Sequence, residues 1–252
     1  MRIFSHTCSN TEIVCALDAG DWLVGVDADS DYPPAIVDAL PKPGRDLDLD
    51  TGAVAALKPD LVLTSLTVPG HERIVDELQA LGLRTLTLDP QSLDDVYASI
   101  VDIADAIGLS SRGSALVTQM RERMPRVEGR GARPRIAVEW WPKPLIVPAR
   151  RSWITDMIEL AGGCNPWGDI DAKSVTVDDA AHEPQADAVV MSWCGVQESK
   201  YRADVVLRRE QHRHWPALQQ ARVHAISEAY MGRPGPRLVH GYDALRAIID
   251  AM

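Results

Sequence analysis

Leu57-Lys58-Pro59-Asp60-Leu61-Val62-Leu63 is the stretch that decides the fold, because the chain writes it a second time as Glu183-Pro184-Gln185-Ala186-Asp187-Ala188-Val189-Val190-Met191. In each copy a proline and an aspartate lead into a short apolar run, then a helical pattern, then a turn residue (Gly82 or Ala221) and a second run, Leu83 to Leu88 or Val223 to Ile226. Each copy is also preceded by a short strand with a polar or aromatic loop behind it: Arg2-Ile3-Phe4 then Ser5 to Asn10, and Arg135-Ile136-Ala137-Val138 then Glu139 to Pro144. Strands alternating with helices predict parallel sheets. A duplicated α/β unit predicts two Rossmann-like lobes with a ligand cleft between them, at the carboxyl ends of the strands.

Working outward, the first lobe is expected over residues 1–90, with one helix starting near Thr11 and another over about Glu72 to Leu81, closed by Gly82. Residues 91–134 form the link. Leu93, Val96, Tyr97, Ile100, Val101, Ala104 and Ile107 hold a helical stripe behind the N-cap candidate Ser92, and after an interruption at Gly108 to Gly113 the stripe resumes through Leu116, Val117, Met120 and Met124. Fully helical, that stretch would span about 50 Å and act as a long backbone helix joining the lobes. Glu128 to Pro134 is its exit loop, and the second lobe occupies 135–252, with helices near Trp153 to Leu160 and from about Pro236.

A net charge of −10 with no Lys/Arg block argues against a nucleic-acid or anionic-membrane partner, and no apolar run is long enough to span a bilayer. No basic, apolar and small-residue leader precedes the first strand, so a native Met1 predicts a cytoplasmic protein, and a trimmed leader a periplasmic or cell-surface one. The four cysteines (Cys8, Cys15, Cys164, Cys194) show neither Cys-x-x-Cys nor zinc spacing and read as thiols in a reducing compartment. Signatures for nucleophilic, phosphate-binding, dinucleotide and zinc-protease chemistry are absent, so a non-enzyme is expected. His212-Arg213-His214 reads as a solvated surface rather than a metal clip.

The aromatic residues carry the functional signal. Phe occurs once and Trp seven times, and several Trp fall where strands should end: Trp140 and Trp141 after Ile136 to Val138, Trp193 after Val189 to Met191, and Trp153 at the next helix start. Tyr32 lies in the proline loop and Tyr230 behind the last strand. Each indole can bury roughly 150–250 Å², which suits a large, flat, partly apolar ligand.

At these residues the chain resembles the substrate-binding proteins of ABC importers for cobalamin and iron-siderophores, and within them the cobalamin-binding branch. The matching text is Ser9-Asn10-Thr11-Glu12-Ile13, Asp31-Tyr32-Pro33-Pro34, Leu57 to Leu63, Glu139-Trp140-Trp141-Pro142-Lys143-Pro144, Ser192-Trp193-Cys194-Gly195 and Gly232 to Arg237. The resemblance implies non-catalytic binding of a corrinoid in the inter-lobe cleft, as an importer's receptor or a cytosolic relative, with no catalytic cofactor. Tyr32 and Pro33 would contact the ligand from the first lobe, and Trp140, Trp141, Trp193 and Arg233 from the second. It also implies docking of an ABC permease through acidic residues, Glu72 on the first lobe and Glu198 on the second. His6 and Cys8 share the first strand-end loop and join the ligand-binding candidates, in a protein expected to be monomeric. Two alternatives stay open. One is a haem or ferric-siderophore ligand, with His6, Cys8, Tyr32, Cys194 and Tyr230 as available axial groups and Arg150, Arg151 and Arg233 as available cations. The other is a cytosolic tetrapyrrole-handling enzyme using a Cys8–His6 pair.

Overall fold

The computed structural model describes residues 1–128, 131–177 and 184–252, so Glu183 of the second motif copy and Gly129-Arg130 of the exit loop lie outside the described residues. The chain forms two compact units, residues 1–90 with 95–119 and residues 91–94 with 120–252.

In the first unit the apolar runs become β1 (Ile3–Ser5), β2 (Leu23–Val26), β5 (Leu61–Ser65) and β6 (Thr85–Leu88), all parallel in the order β2-β1-β5-β6. β1 and β5 are buried at every position. Strands covered on both faces can therefore be continuously apolar rather than alternating. A small hairpin, β3 (Gly44–Arg45) with β4 (Asp48–Leu49), sits between the second and third parallel strands in sequence. The covering helices are α1 (Cys8–Ala16), α2 (Pro34–Val37), α3 (Thr51–Ala56) and α4 (His71–Ala80). The Asp50 carboxylate caps α3 by accepting from the Ala53 N–H at 2.8 Å. α4 buries Ile74, Val75 and Leu78, the face its sequence spacing predicts.

α1 starts three residues earlier than its apolar pattern suggests. Its first turn is polar, yet Ser9, Asn10, Thr11 and Glu12 are all buried. Asn10 Nδ2 donates to His6 O and Thr64 O, and Thr11 Oγ1 to Ser5 Oγ, so these side chains are matched inside the lobe.

The helical stripe behind Ser92 is two helices, α5 (Leu93–Ala106) and α6 (Ser110–Arg123). Gly108, at φ 76°, turns the chain between them. They fold back on one another rather than continuing straight. A side-chain carbon added at Gly113 would lie 2.5 Å from Ala104 Cβ, and Arg121 Nη2 reaches Asp94 Oδ1 at 2.8 Å.

In the second unit, β7 (Ile136–Glu139), β11 (Ala188–Met191) and β12 (Val223–Ala225) are parallel in the order β12-β11-β7. A second, antiparallel sheet is β10-β9-β8, from β8 (Trp141–Pro142), β9 (Leu145–Pro148) and β10 (Ser174–Thr176). Around them lie α7 (Trp153–Leu160), α8 (Ala203–Leu207), α9 (Pro216–Gln219), α10 (Glu228–Met231) and α11 (Leu238–Asp250).

The duplication is visible atom by atom. Arg2 N donates to Asp60 Oδ2 at 2.7 Å while Asp60 N donates back to Arg2 O at 2.8 Å. Arg135 N donates to Asp187 Oδ2 at 2.8 Å while Asp187 N donates back to Arg135 O at 2.8 Å. In the second copy the Arg135 guanidinium also grips the Asp187 carboxylate, holding it below the usual carboxylate range. The turn residues match as well: Gly82 has φ 75° and Ala221 φ 54°.

Two outcomes follow for urea unfolding. Asp187→Ala removes three charge-assisted hydrogen bonds at a half-buried site, with an expected loss of about 2 kcal/mol. Ala221→Gly relieves a left-handed alanine and is expected to raise stability by up to about 1 kcal/mol, after the added freedom of the unfolded chain is subtracted. Unchanged midpoints in both variants would refute this account of the motif.

Candidate functional site

The loop behind β1 has only two residues, His6 and Thr7, and Thr7 is held at φ 90°. Threonine rarely adopts that conformation, so something must hold it. The holder is Asp27, fully buried just past β2. Its Oδ2 accepts the Thr7 N–H at 3.0 Å and the Ser30 hydroxyl at 2.6 Å, and its Oδ1 accepts the Asp29 N–H at 2.9 Å. Burial pushes the Asp27 carboxyl upward, against the pull of those three donors.

His6 is fully buried. Its Nε2 lies 2.7 Å from Asp46 O at the tip of the β3–β4 hairpin, and its ring meets His71 edge-on with centroids 4.8 Å apart. His71, also buried, places Nε2 3.2 Å from Asp46 Oδ2. Burial lowers the His6 pKa to about 4, so at neutral pH the ring is uncharged and donates to Asp46 O. The Cys8 thiol donates to Asp29 O at 3.0 Å. His6 and Cys8 thus each have a structural hydrogen bond of their own, in place of the mutual pair that a nucleophilic reading requires. Tyr32 is 44% exposed and Pro33 half-buried, on the loop between β2 and α2. Glu72 is exposed in the first turn of α4 and accepts the Gly70 N–H at 2.8 Å.

The strand-end cluster of the second lobe is built around Glu139, the last residue of β7 and fully buried. Arg209, also buried, donates to both its oxygens, and Trp193 Nε1 to Oε2 at 3.2 Å. Burial pushes the Glu139 carboxyl up, with Arg209 the main opposing influence. Trp193 is a core residue, 7% exposed and packed with Met191, Trp167 and Trp215. Trp153 is likewise buried, its Nε1 donating to Met231 O at 2.8 Å. Two candidate indoles remain near solvent. Trp140 is partly exposed with its ring centroid 6.2 Å from that of Trp153, and Trp141 is 42% exposed with Nε1 donating to Lys143 O. Arg233 lies 3.4 Å from Glu228 and is mostly buried. Glu198 is exposed and opens a short 3-10 helix.

One expectation is overturned. His212 is buried and stacked on Trp215 at 4.3 Å, so it belongs to the packing of the second lobe, while Arg213 beside it is exposed. A cavity of about 510 Å³ opens at the opposite, amino-terminal edge of this lobe's sheet, beside Arg133, Asp187, Arg222 and Arg246. Asp187 and Arg246 there are committed to hydrogen bonds within the lobe, and no aromatic residue lines it, so the aromatic edge is the better candidate. Among the described residues no group of three His, Cys, Asp or Glu side chains is arranged to hold a metal, and no helix is long and apolar enough to cross a membrane.

A family described as periplasmic binding protein matches residues 3–230. An uncharacterized ABC transporter substrate-binding lipoprotein of Bacillus subtilis, YvrC, is 27% identical over 253 residues, covering 97% of this chain and 78% of the relative. A vitamin B12-binding protein of Yersinia pestis is 25% identical over 248 residues, covering 94% and 82%. Among solved structures, a periplasmic heme-binding protein of Roseiflexus sp. RS-1 in apo form superposes with a TM-score of 0.80 at 27% identity, covering 99% of this chain and 98% of that one.

The buried imidazole makes a pH prediction. The His6 pKa is lowered in the folded protein, so the unfolded chain takes up this proton first as pH falls below 6.5. Stability is lost down to about pH 4, by about 3 kcal/mol in total. Replacing it with an uncharged donor, His6→Gln, is expected to remove that part of the slope. Urea midpoints of parent and variant, compared from pH 7 to 4, should diverge in slope; parallel curves would contradict the burial argument.

Proposed function

The chain belongs to the periplasmic binding protein family, and on that premise we propose that it is the receptor of an ABC importer, with a corrinoid as its ligand. One observation carries the reading. Among the described residues only two Phe, Tyr or Trp side chains are exposed, Tyr32 on the loop after β2 and Trp141 in the short strand β8, separated from β7 by one residue, each at the carboxyl edge of its lobe's parallel sheet. That edge is where open α/β sheets receive ligands. Flat aromatic faces left in water gain most from a broad, partly apolar ligand such as a corrin ring. The Yersinia relative is a vitamin B12-binding protein by name, which supports the same class.

Pro33 and Trp140 extend the two aromatic surfaces. Cys8 and His6 shape the first lobe's strand-end loop from beneath, and Trp193 and Arg233 support the second edge from within. Glu72 and Glu198, both exposed, are proposed as the acidic contacts for a permease. The lipoprotein and periplasmic descriptions of the relatives support a site of action outside the cytoplasm. The protein is proposed to act as a monomer.

Haem is the second reading, favoured by the Roseiflexus relative and by the exposed phenol of Tyr32, a group able to ligate iron. Parallel titrations of the purified protein with hydroxocobalamin and haemin separate the two. Saturable corrinoid binding near one per chain is expected, weakened about tenfold by Tyr32→Ala or Trp141→Ala. Haemin binding with a shifted Soret band, without corrinoid binding, would transfer the assignment to haem. Glu72→Ala is expected to leave corrinoid affinity unchanged while reducing stimulation of the permease ATPase.

A further inference from the structure

The carboxyl edge of the second lobe holds two hydrogen-bond donors that find no acceptor among the described residues. β11 pairs with β7 in register, Met191 opposite Glu139. One residue further, Ser192 stands opposite Trp140: the Ser192 N–H donates to Glu139 O and the Cys194 N–H to Trp140 O, both at 3.0 Å. Side chains alternate along a strand. Met191 and Trp193 face the core that contains Trp167 and Trp215. Ser192 and Trp140 therefore share the other face, where the Trp140 ring packs toward Trp153 of α7. Ser192 Oγ and Trp140 Nε1 are both buried, and neither makes a hydrogen bond among the described residues; Ser192 is fully buried. An indole N–H can only donate, and the serine hydroxyl at the paired strand position can also donate, so one oxygen that accepts twice would satisfy both.

The charges near this pair define which oxygen. The buried Arg209 is matched by Glu139, and Arg233 by Glu228. An anionic carboxylate placed here would be desolvated with both of these cations already taken, whereas a neutral carbonyl carries no such penalty. We infer that Trp140 Nε1 and Ser192 Oγ form a two-donor subsite for a neutral carbonyl oxygen, an amide side chain on the periphery of the ligand. The inference rests on the corrinoid reading and narrows it, since a corrin ring can carry amides where haem carries propionates.

The test uses protein with 15N-labelled tryptophan and two diamagnetic probes: dicyanocobinamide, whose periphery is amides, and dicyanocobyrinic acid, whose periphery is carboxylates. Trp140→Phe, which keeps a ring against Trp153, identifies the Trp140 indole resonance by its disappearance. Saturation of the parent with dicyanocobinamide is expected to move that resonance downfield. Trp140→Phe and Ser192→Ala are each expected to weaken dicyanocobinamide several-fold, and the double variant about tenfold or more, with little change for the carboxylate probe. Thermal unfolding of the variants, unchanged within a few degrees, separates a lost contact from a lost fold. If the variants bind dicyanocobinamide as the parent does, or the resonance stays in place, the two donors serve only a resident water, and the inference falls while the corrinoid reading stands. A parent that binds neither probe overturns both.

Discussion

In each lobe one aspartate fixes where the parallel sheet begins. Asp60 and Asp187 each accept the backbone N–H of an arginine that opens the lobe's first strand and donate their own N–H to that arginine's carbonyl. The reciprocal pair sets the register, Ile3 beside Leu61 and Ile136 beside Ala188. A one-residue slip would reverse every side chain on the strand. At the far end of β11 it would exchange Trp193 with Ser192, placing a bulky indole against α7 and a hydroxyl in the core. The position of the aromatic edge is therefore decided some 10–15 Å away, at about 3.3 Å per residue, where the strand starts.

That dependence explains which features were legible in the sequence. Both motif copies, their turn residues and the stripes of α4, α7 and α11 could be read because each rests on local rules: apolar period, proline and glycine. The placement of Trp153 and Trp193 could not. β7 and β11 are apolar at nearly every position because both faces are covered, so no alternation in the text tells which face a following tryptophan takes. The Glu139–Arg209 pair joins residues 70 positions apart, in a stretch where Arg208, Arg209 and Glu210 look alike. His212 was misleading for the same reason, since its partner Trp215 is buried by contacts with β-strand residues that no local pattern announces. The polar first turn of α1 reads as loop, and only the buried acceptors His6 O and Thr64 O make it helix.

The lobes solve one problem by different chemistry. A strand-end loop that receives a ligand must be rigid before the ligand arrives, or binding must supply its ordering. In the first lobe a single buried carboxylate, Asp27, holds the strained Thr7 and the following turn. In the second, a buried ion pair with an indole donor does so, and breaking either partner would leave an uncompensated charge. Both arrangements keep their charge beneath the edge rather than on it.

Buried titratable groups and thiols at strand ends are ordinarily candidates for chemistry. Here the ones that invite that reading are committed. His6 is neutral and bonded to the Asp46 carbonyl, the Cys8 thiol is bonded to the Asp29 carbonyl, and Glu139 is held from both sides. Each of these bonds ties a strand-end loop to a neighbouring segment: the β3–β4 hairpin tip, the turn after β2, and the stretch following α8. Their cost in desolvation is recovered as loop rigidity. That rigidity sets the exposed Tyr32 and Trp141 on a firm floor at the carboxyl edges of their sheets, which is what the proposed ligand role would require of them.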